Sequence, residues 1–428
     1  MLSLATLTAN ALLTRILPPD SVGSYFLISS IVTTCSMLSL LGVHQAVVRS
    51  LAGGDKQHSK AAINSGFLIV LAGSMLVGIP YSLGIGQWLG NHVFGVPVVA
   101  NSAYFISLWV AGFAIQKLVS QIFRGLHRIG YASVFDGAST AVIFVIALSY
   151  IWLTDRQIQL QDVLVITLSA LILSIAWGSL LLARQYFDLP TANHLNIGAM
   201  LRISMPLFVA SAAVLGITEA HIWILASTRG SDEVAVYGAA YRLAKFVVFP
   251  LVIINNVIAP TVAELSARKD TNLLERILRA TATISGLPAI AMLILVALGG
   301  DVILSSLFGG FYAKGNIALL ILVAGQAINA LTGSPGVLLM MSDHQSIVMK
   351  YSIAGGTVGI VTSALLVQNF GYLGVAIGVA VGLSAHNIGM SLYCKRRLGI
   401  TTYMGIDGIV DTLNVIYRFM LSRINRQK

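Results

Sequence analysis

The stretch LLTRILPPDSVGSYFLISSIV, residues 12–32, closes one apolar run, turns at Arg15 through two prolines and an aspartate, and opens a second apolar run. A second stretch, ILASTRGSDEVAVYGAAYRLA at 224–244, repeats the order: apolar helix end, Arg229, acidic turn, valine, then glycine with tyrosine. Farther along, RGLHRIGYASVFDG (124–137) and MMSDHQSIVMKYSIAG (340–355) occupy matching places, His127 against His344. In both pairs the offset is about half of the 428 residues. Self-similarity at such a spacing predicts two duplicated halves of six helices each, in the same orientation and related by a pseudo-two-fold axis along the membrane normal.

What those halves are made of follows from composition. Hydrophobic residues make up 57% of the chain, charged residues 10%, and the mean hydropathy is +0.86. Such values lie outside the soluble globular range, and the apolar runs recur from end to end. About 20 residues at 1.5 Å each cross a hydrocarbon core about 30 Å thick. On that measure about twelve spans are expected: 1–14, 24–48, 62–86, 99–121, 134–153, 162–182, 204–226, 236–262, 280–307, 316–340, 348–368 and 372–393. The expected fold is therefore an all-α polytopic membrane protein. Its N-terminal lobe would be 1–182, a cytoplasmic linker 183–203, a C-terminal lobe 204–394 and a basic cytoplasmic tail 395–428. The first run reaches only about 21 Å before Arg15, so a truncated first helix, with further apolar residues encoded upstream of Met1, is expected.

The net charge of +10 is distributed unevenly. With the chain starting inside, Lys and Arg crowd the cytoplasmic segments, while the outer loops hold only Arg15, Arg156, Arg229 and Lys314. That asymmetry predicts cytoplasmic termini and lipid-surface contact, and it leaves no need for nucleic acid as a partner. Cys35 and Cys394 form neither a disulfide framework nor a metal motif. No HExxH, Walker loop, GxSxG or CxxC occurs, and the outer loops are too short for sugar chemistry. The reading is of a protein that is not an enzyme, without catalytic residues, cofactor or metal.

Charged residues inside apolar runs are the candidate site, because a charge at bilayer depth must pair or face a wet cavity. In GITEAHIWILAS (216–227), Glu219 lies about 10 Å from the outer end of its span; Arg242 and Lys245, entering on the next span, lie at about 9 and 14 Å. Matched depth predicts that Glu219 pairs with Arg242 or Lys245 on one helix face. Arg242 and Lys245 have no counterpart in the first half, where the equivalent positions fall near Ile28 and Ile31. They are read either as groups that handle an asymmetric substrate or as side chains snorkelling to the outer interface. His221, two residues from Glu219 and about 200° around the helix, faces elsewhere and is read as a packing hydrogen-bonder or a titrating group. Lys117, near a cytoplasmic helix end, is either another snorkelling side chain or a group that draws substrate into the inward-open cavity. His44 reads as a satisfied interface residue. Pro80, Pro206, Pro250, Pro288 and Pro335 lie within spans and suit kinked helices.

The ordered set RILPPDSVGSY, RGLHRIGY, ISMPLF, DEVAVYGAAYRL, APTVAELSA, SGLPA, LFGGFY and MMSDHQ resembles the polysaccharide transporter family, the oligosaccharide flippases of the multidrug/oligosaccharidyl-lipid/polysaccharide exporter superfamily. The resemblance spans essentially the whole chain. It implies a two-lobed alternating-access flippase that carries undecaprenyl-diphosphate-linked oligosaccharide across the bacterial cytoplasmic (inner) membrane for O-antigen, capsule or exopolysaccharide assembly. Membrane lipids, a polysaccharide polymerase and glycosyltransferases would be its partners. Two features depart from the family pattern, the short first helix and His221 where many members carry Asp. Two other readings stand beside it. One is a cation-coupled multidrug exporter of the same superfamily, whose members often carry a first-helix carboxylate where residues 1–14 offer only Thr6, Thr8 and Asn10. The other is a non-transporting membrane component of a polysaccharide synthesis complex.

Overall fold

The computed structural model describes residues 2–52, 56–187 and 197–405. The central part of the expected linker (188–196) and most of the expected basic tail (406–428) lie outside the described residues. Every regular element among the described residues is helical, and ten helices are long and apolar enough to cross a membrane. Apolar side chains cover much of the outside: Leu298 is 83% exposed and Leu153 76%. A water-soluble protein would bury surface of that kind, so lipid is its natural cover. The protein is an all-α polytopic membrane protein.

Contacts divide the chain into two compact units, Met1–Gly238 and Ala239–Lys428. This contact boundary is distinct from the 183–203 linker expected from the repeat, and the helix carrying Glu219 belongs to the first unit.

The first unit contains α1 (Leu2–Ile16), α2 (Pro19–Leu40), α3 (Val43–Ala52), α4 (Lys56–Pro80), α5 (Ala103–Gly125), α6 (Ser139–Leu153), α7 (Leu160–Phe187), α8 (Ile197–Thr228) and the start of α9 (Ser231–Ala244). The repeated turns have like local roles. Pro19 sits in the first turn of α2 beside Asp20, and Asp232 and Glu233 sit in the first turn of α9. Proline lacks the N–H that a helix start cannot use, and carboxylates favour the positive end of the helix dipole. The two starts also meet: Ser24 Oγ donates to Ser231 Oγ at 3.4 Å, and a side chain at Gly23 would strike the Ser231 carbonyl.

One expected span is two helices. The run 24–48 breaks at Leu41 (φ 45°) and Gly42 (φ 73°), which separates α2 from α3. A Cβ at Gly42 would collide with the Ser204 carbonyl and lie 2.7 Å from Phe208 N, so the break admits the backbone of α8. Polar tethers knit the remaining helices. Ser36 Oγ donates to the Val110 carbonyl at 3.1 Å and Ser107 Oγ to the Gly78 carbonyl at 2.9 Å; Gln116 Nε2 donates to Thr140 Oγ1 at 2.6 Å and to Ser174 Oγ at 2.8 Å. Small polar residues of this kind are the usual glue where lipid supplies no hydrophobic drive between helices.

The second unit continues α9 and adds α10 (Phe249–Arg268), α11 (Thr271–Phe308), α12 (Asn316–Thr332), α13 (Pro335–Met341), α14 (Gln345–Phe370) and α15 (Tyr372–Tyr393). Two expected spans are again interrupted. A 3-10 turn, Lys245–Val248, separates α9 from α10 within 236–262, and Gly333 (φ 73°) separates α12 from α13 within 316–340. Pro250 and Pro335 occupy first turns of helices, so they start elements where kinks were expected. In α11 the non-helical residue is Gly299, eleven positions beyond Pro288. Between α14 and α15 glycine packs on glycine: a Cβ at Gly382 of α15 would lie 2.6 Å from the Gly355 carbonyl of α14 and 2.8 Å from Gly359 Cα.

Candidate functional site

Glu219 stands on α8 and is half-buried. Ser30 Oγ of α2 donates to its Oε2 at 2.6 Å. Trp223, one helical turn beyond Glu219, donates its indole N–H to the same Ser30 oxygen at 3.1 Å. The hydroxyl thus donates a hydrogen bond to the carboxylate and accepts one from the indole, so one serine satisfies two groups on the facing helix. A bond from a neutral donor to an ionised acceptor is stronger than a neutral one, consistent with the short distance. The Phe94 ring lies nearly edge-on to Trp223, the ring centroids 6.4 Å apart. Residue spacing did not point to Ser30; the signal was its place in the pair Ser29-Ser30 within an apolar span.

His221 is buried at 5% exposure and lies edge-on to the fully buried Tyr237 of α9, the ring centroids 5.5 Å apart. Glu219 therefore meets α2 while His221 meets α9, the divergence that a two-residue spacing on a helix imposes. Arg242 and Lys245 lie beyond Gly238, in the second unit. Arg242 is half-buried in the last turn of α9; Lys245 opens the 3-10 turn, exposed, with Nζ 4.4 Å above the Tyr241 ring. The aromatic face attracts the ammonium and orients it without neutralising it.

Lys117 of α5 has a carboxylate partner that depth alone did not reveal. Its Nζ is 2.6 Å from Asp136 Oδ1, and Arg124 Nη2, two turns along α5, is 3.8 Å from Asp136 Oδ2. Asp136 sits at a break in the span Ile129–Leu153: Asp136 has ψ 30° and Gly137 φ 102°, inside the π turn Val134–Ala138. Only glycine takes that φ without strain, so the Asp-Gly pair both breaks the helix and aims an acidic residue at α5. An Asp-Gly dipeptide in an apolar run is a turn signal that the sequence does carry. His44, at the start of α3, belongs to the same neighbourhood. It is buried, electrostatically coupled to Lys117 and Asp136, and its Nδ1 has no hydrogen-bond partner among the described residues. The expectation of a satisfied interface histidine is corrected by that orphan nitrogen.

Among the described residues no group of three His, Cys, Asp or Glu side chains is gathered to hold a metal ion. What the first unit does offer is buried or half-buried charge: one carboxylate held by a hydroxyl, and one carboxylate between two bases.

Solved structures share this arrangement of helices. The chain is similar to an inward-facing multidrug resistance MATE family transporter of the MOP superfamily, at a TM-score of 0.74 and 15% identity, covering 93% of this chain and 95% of that one. It is similar to the lipid II flippase MurJ in an inward closed conformation, at 0.69 and 13% identity, covering 99% and 90%. It is also similar to a MOP superfamily transporter from Pyrococcus furiosus, described by the reverse polarity of its binding pocket, at 0.64 and 14% identity, covering 92% of each chain. At such identities the likeness is one of fold. No curated protein matches the chain. Residues 2–266 match the family described as polysaccharide biosynthesis protein, more than half of the chain, and the protein belongs to that family.

Proposed function

We propose that this protein is a flippase that translocates undecaprenyl-diphosphate-linked oligosaccharide across a bacterial cytoplasmic membrane by alternating access, with both termini cytoplasmic. Surface polysaccharide assembly is the pathway it serves, alongside a polymerase and glycosyltransferases. Membership of the polysaccharide biosynthesis protein family and the transporter fold support a carrier rather than an enzyme. The observation that carries the substrate class is the set of basic side chains at membrane depth. Arg242, Lys245 and Lys117 place three positive charges inside apolar spans against the carboxylates of Glu219 and Asp136, and charge at depth is costly unless it is used. An anionic diphosphate is the ligand that such a surplus selects; an organic cation is the ligand that it repels.

In this reading Arg242, Lys245 and Lys117 bind the diphosphate, and Glu219 and His221 serve ion coupling or charge pairing. A multidrug exporter is disfavoured by the sign of the charge, and a passive scaffold by its having no use for charge at depth. The test is complementation of a strain lacking its own flippase. Arg242→Gln combined with Lys245→Gln should abolish surface glycan export while the protein accumulates normally in the membrane. Near-normal export from the double variant would sink the assignment.

A further inference from the structure

We propose that Asp136 is an internal counter-ion that competes with the diphosphate of the incoming lipid for Lys117 and Arg124. The proposal rests on the flippase reading and gives one of its basic residues an antagonist. Lys117 and Asp136 are in direct contact at 2.6 Å, with side chains 30% and 25% exposed, so the pair is half-buried yet reachable. Arg124 touches the other carboxylate oxygen only at 3.8 Å, beyond hydrogen-bond length. Its guanidinium therefore contributes charge and keeps its fork of donors for another acceptor. Two bases face one acid, which leaves a surplus positive charge with the geometry of a diphosphate site already partly filled from within.

Three local features suit an exchange of partners. Asp136 and Gly137 lie outside helical geometry, so the carboxylate hangs from a point where the backbone ladder is already interrupted. Arg124 and Lys117, seven residues apart on α5, lie two turns along one helix face, a span over which two phosphate groups can be shared. The buried Nδ1 of His44, in electrostatic range of Lys117 and Asp136, is an orphan polar atom in the same neighbourhood. Buried polar groups without partners call for an occupant; a phosphate oxygen, or the carboxylate once released from Lys117, would supply one.

The consequence is a base that is neutralised inside the protein when no lipid is present and is exposed only in exchange for one. Asp136 lowers the affinity for the diphosphate and then helps to expel it by reclaiming Lys117. If the ion pair holds Lys117 about nine-tenths of the time, the competent fraction is about one-tenth, and removing the competitor tightens apparent binding about tenfold.

Binding of undecaprenyl diphosphate to the full chain in nanodiscs, with inorganic diphosphate measured in parallel, tests the proposal. Asp136→Asn should bind the lipid about tenfold more tightly than the unaltered protein. Lys117→Gln should bind it more weakly, and Asp136→Asn should give no gain when Lys117→Gln is also present. Asp136→Ser carries the same expectation should the asparagine variant fail to fold. An equal gain for inorganic diphosphate supports recognition of the diphosphate alone, and a gain for the lipid alone supports recognition of the lipid headgroup in its membrane setting. A gain confined to inorganic diphosphate would assign the site to a soluble anion and overturn the proposal. So would unchanged or weaker lipid binding by folded Asp136 variants, with the flippase reading left intact. If the unaltered protein does not bind undecaprenyl diphosphate, the flippase reading fails and the proposal falls with it.

Discussion

Replacing Ser30 by alanine removes one hydroxyl and disturbs two groups on the facing helix. The bond from Ser30 to Glu219 is 2.6 Å long and that from Trp223 to Ser30 is 3.1 Å. Losing a bond to a charged acceptor costs about 1.5–3 kcal/mol, and an indole N–H left without its acceptor costs about 1 kcal/mol more. Glu219 is only half-buried, so water recovers part of the loss, and about 2 kcal/mol is the expected destabilisation of Ser30→Ala. Glu219→Gln keeps an acceptor oxygen for Ser30 but forfeits the charge, at about 1 kcal/mol. The combined variant should cost less than the two changes added, with a coupling of about 1 kcal/mol, because each removes the same bond. Unfolding in mixed detergent micelles, followed by tryptophan fluorescence and by circular dichroism, measures all four proteins. Additive losses, or a loss from Ser30→Ala below about 0.5 kcal/mol, would refute the view that this serine holds α2 to α8.

Gly42→Ala should destabilise the protein by about 2 kcal/mol or more, since φ is 73° and the new Cβ would meet the backbone of Ser204 and Phe208. Gly95→Ala, at φ 62° with open space around it, should cost only the conformational strain, about 1 kcal/mol, so that thermal melts of the two variants isolate the α8 contact. For topology, single cysteines at the exposed positions Gln157 and Ala267 should differ in intact cells. An impermeant thiol reagent should label the first and spare the second, and the opposite pattern would reverse the proposed orientation.

The membrane class was legible in the residues because it depends on a bulk property. Runs rich in Leu, Val, Ile and Ala must be helical in lipid, where every peptide group has to be satisfied within its own segment. The helix breaks were less legible. The run 24–48 is apolar on both sides of Gly42, and hydropathy contains no term for the φ of 73° that admits the backbone of α8. Pro250 and Pro335 look like kinks in a hydropathy plot and are helix starts in three dimensions, because a proline's effect depends on whether its missing N–H had a partner to lose.

Charge partners divide in the same way. The sequence by itself determined that Glu219 and Lys117 needed company, since their cost at depth follows from residue type and distance to the nearest apolar boundary. Only the tertiary structure decided the company: Ser30 for Glu219, 189 residues away, and Asp136 for Lys117, across a helix break. Helical periodicity states which residues share a face, but which face meets which neighbour is set by the packing of all the helices together. A hydrogen bond acts over about 3 Å, so its partner is fixed by that packing and by nothing that lies along the chain.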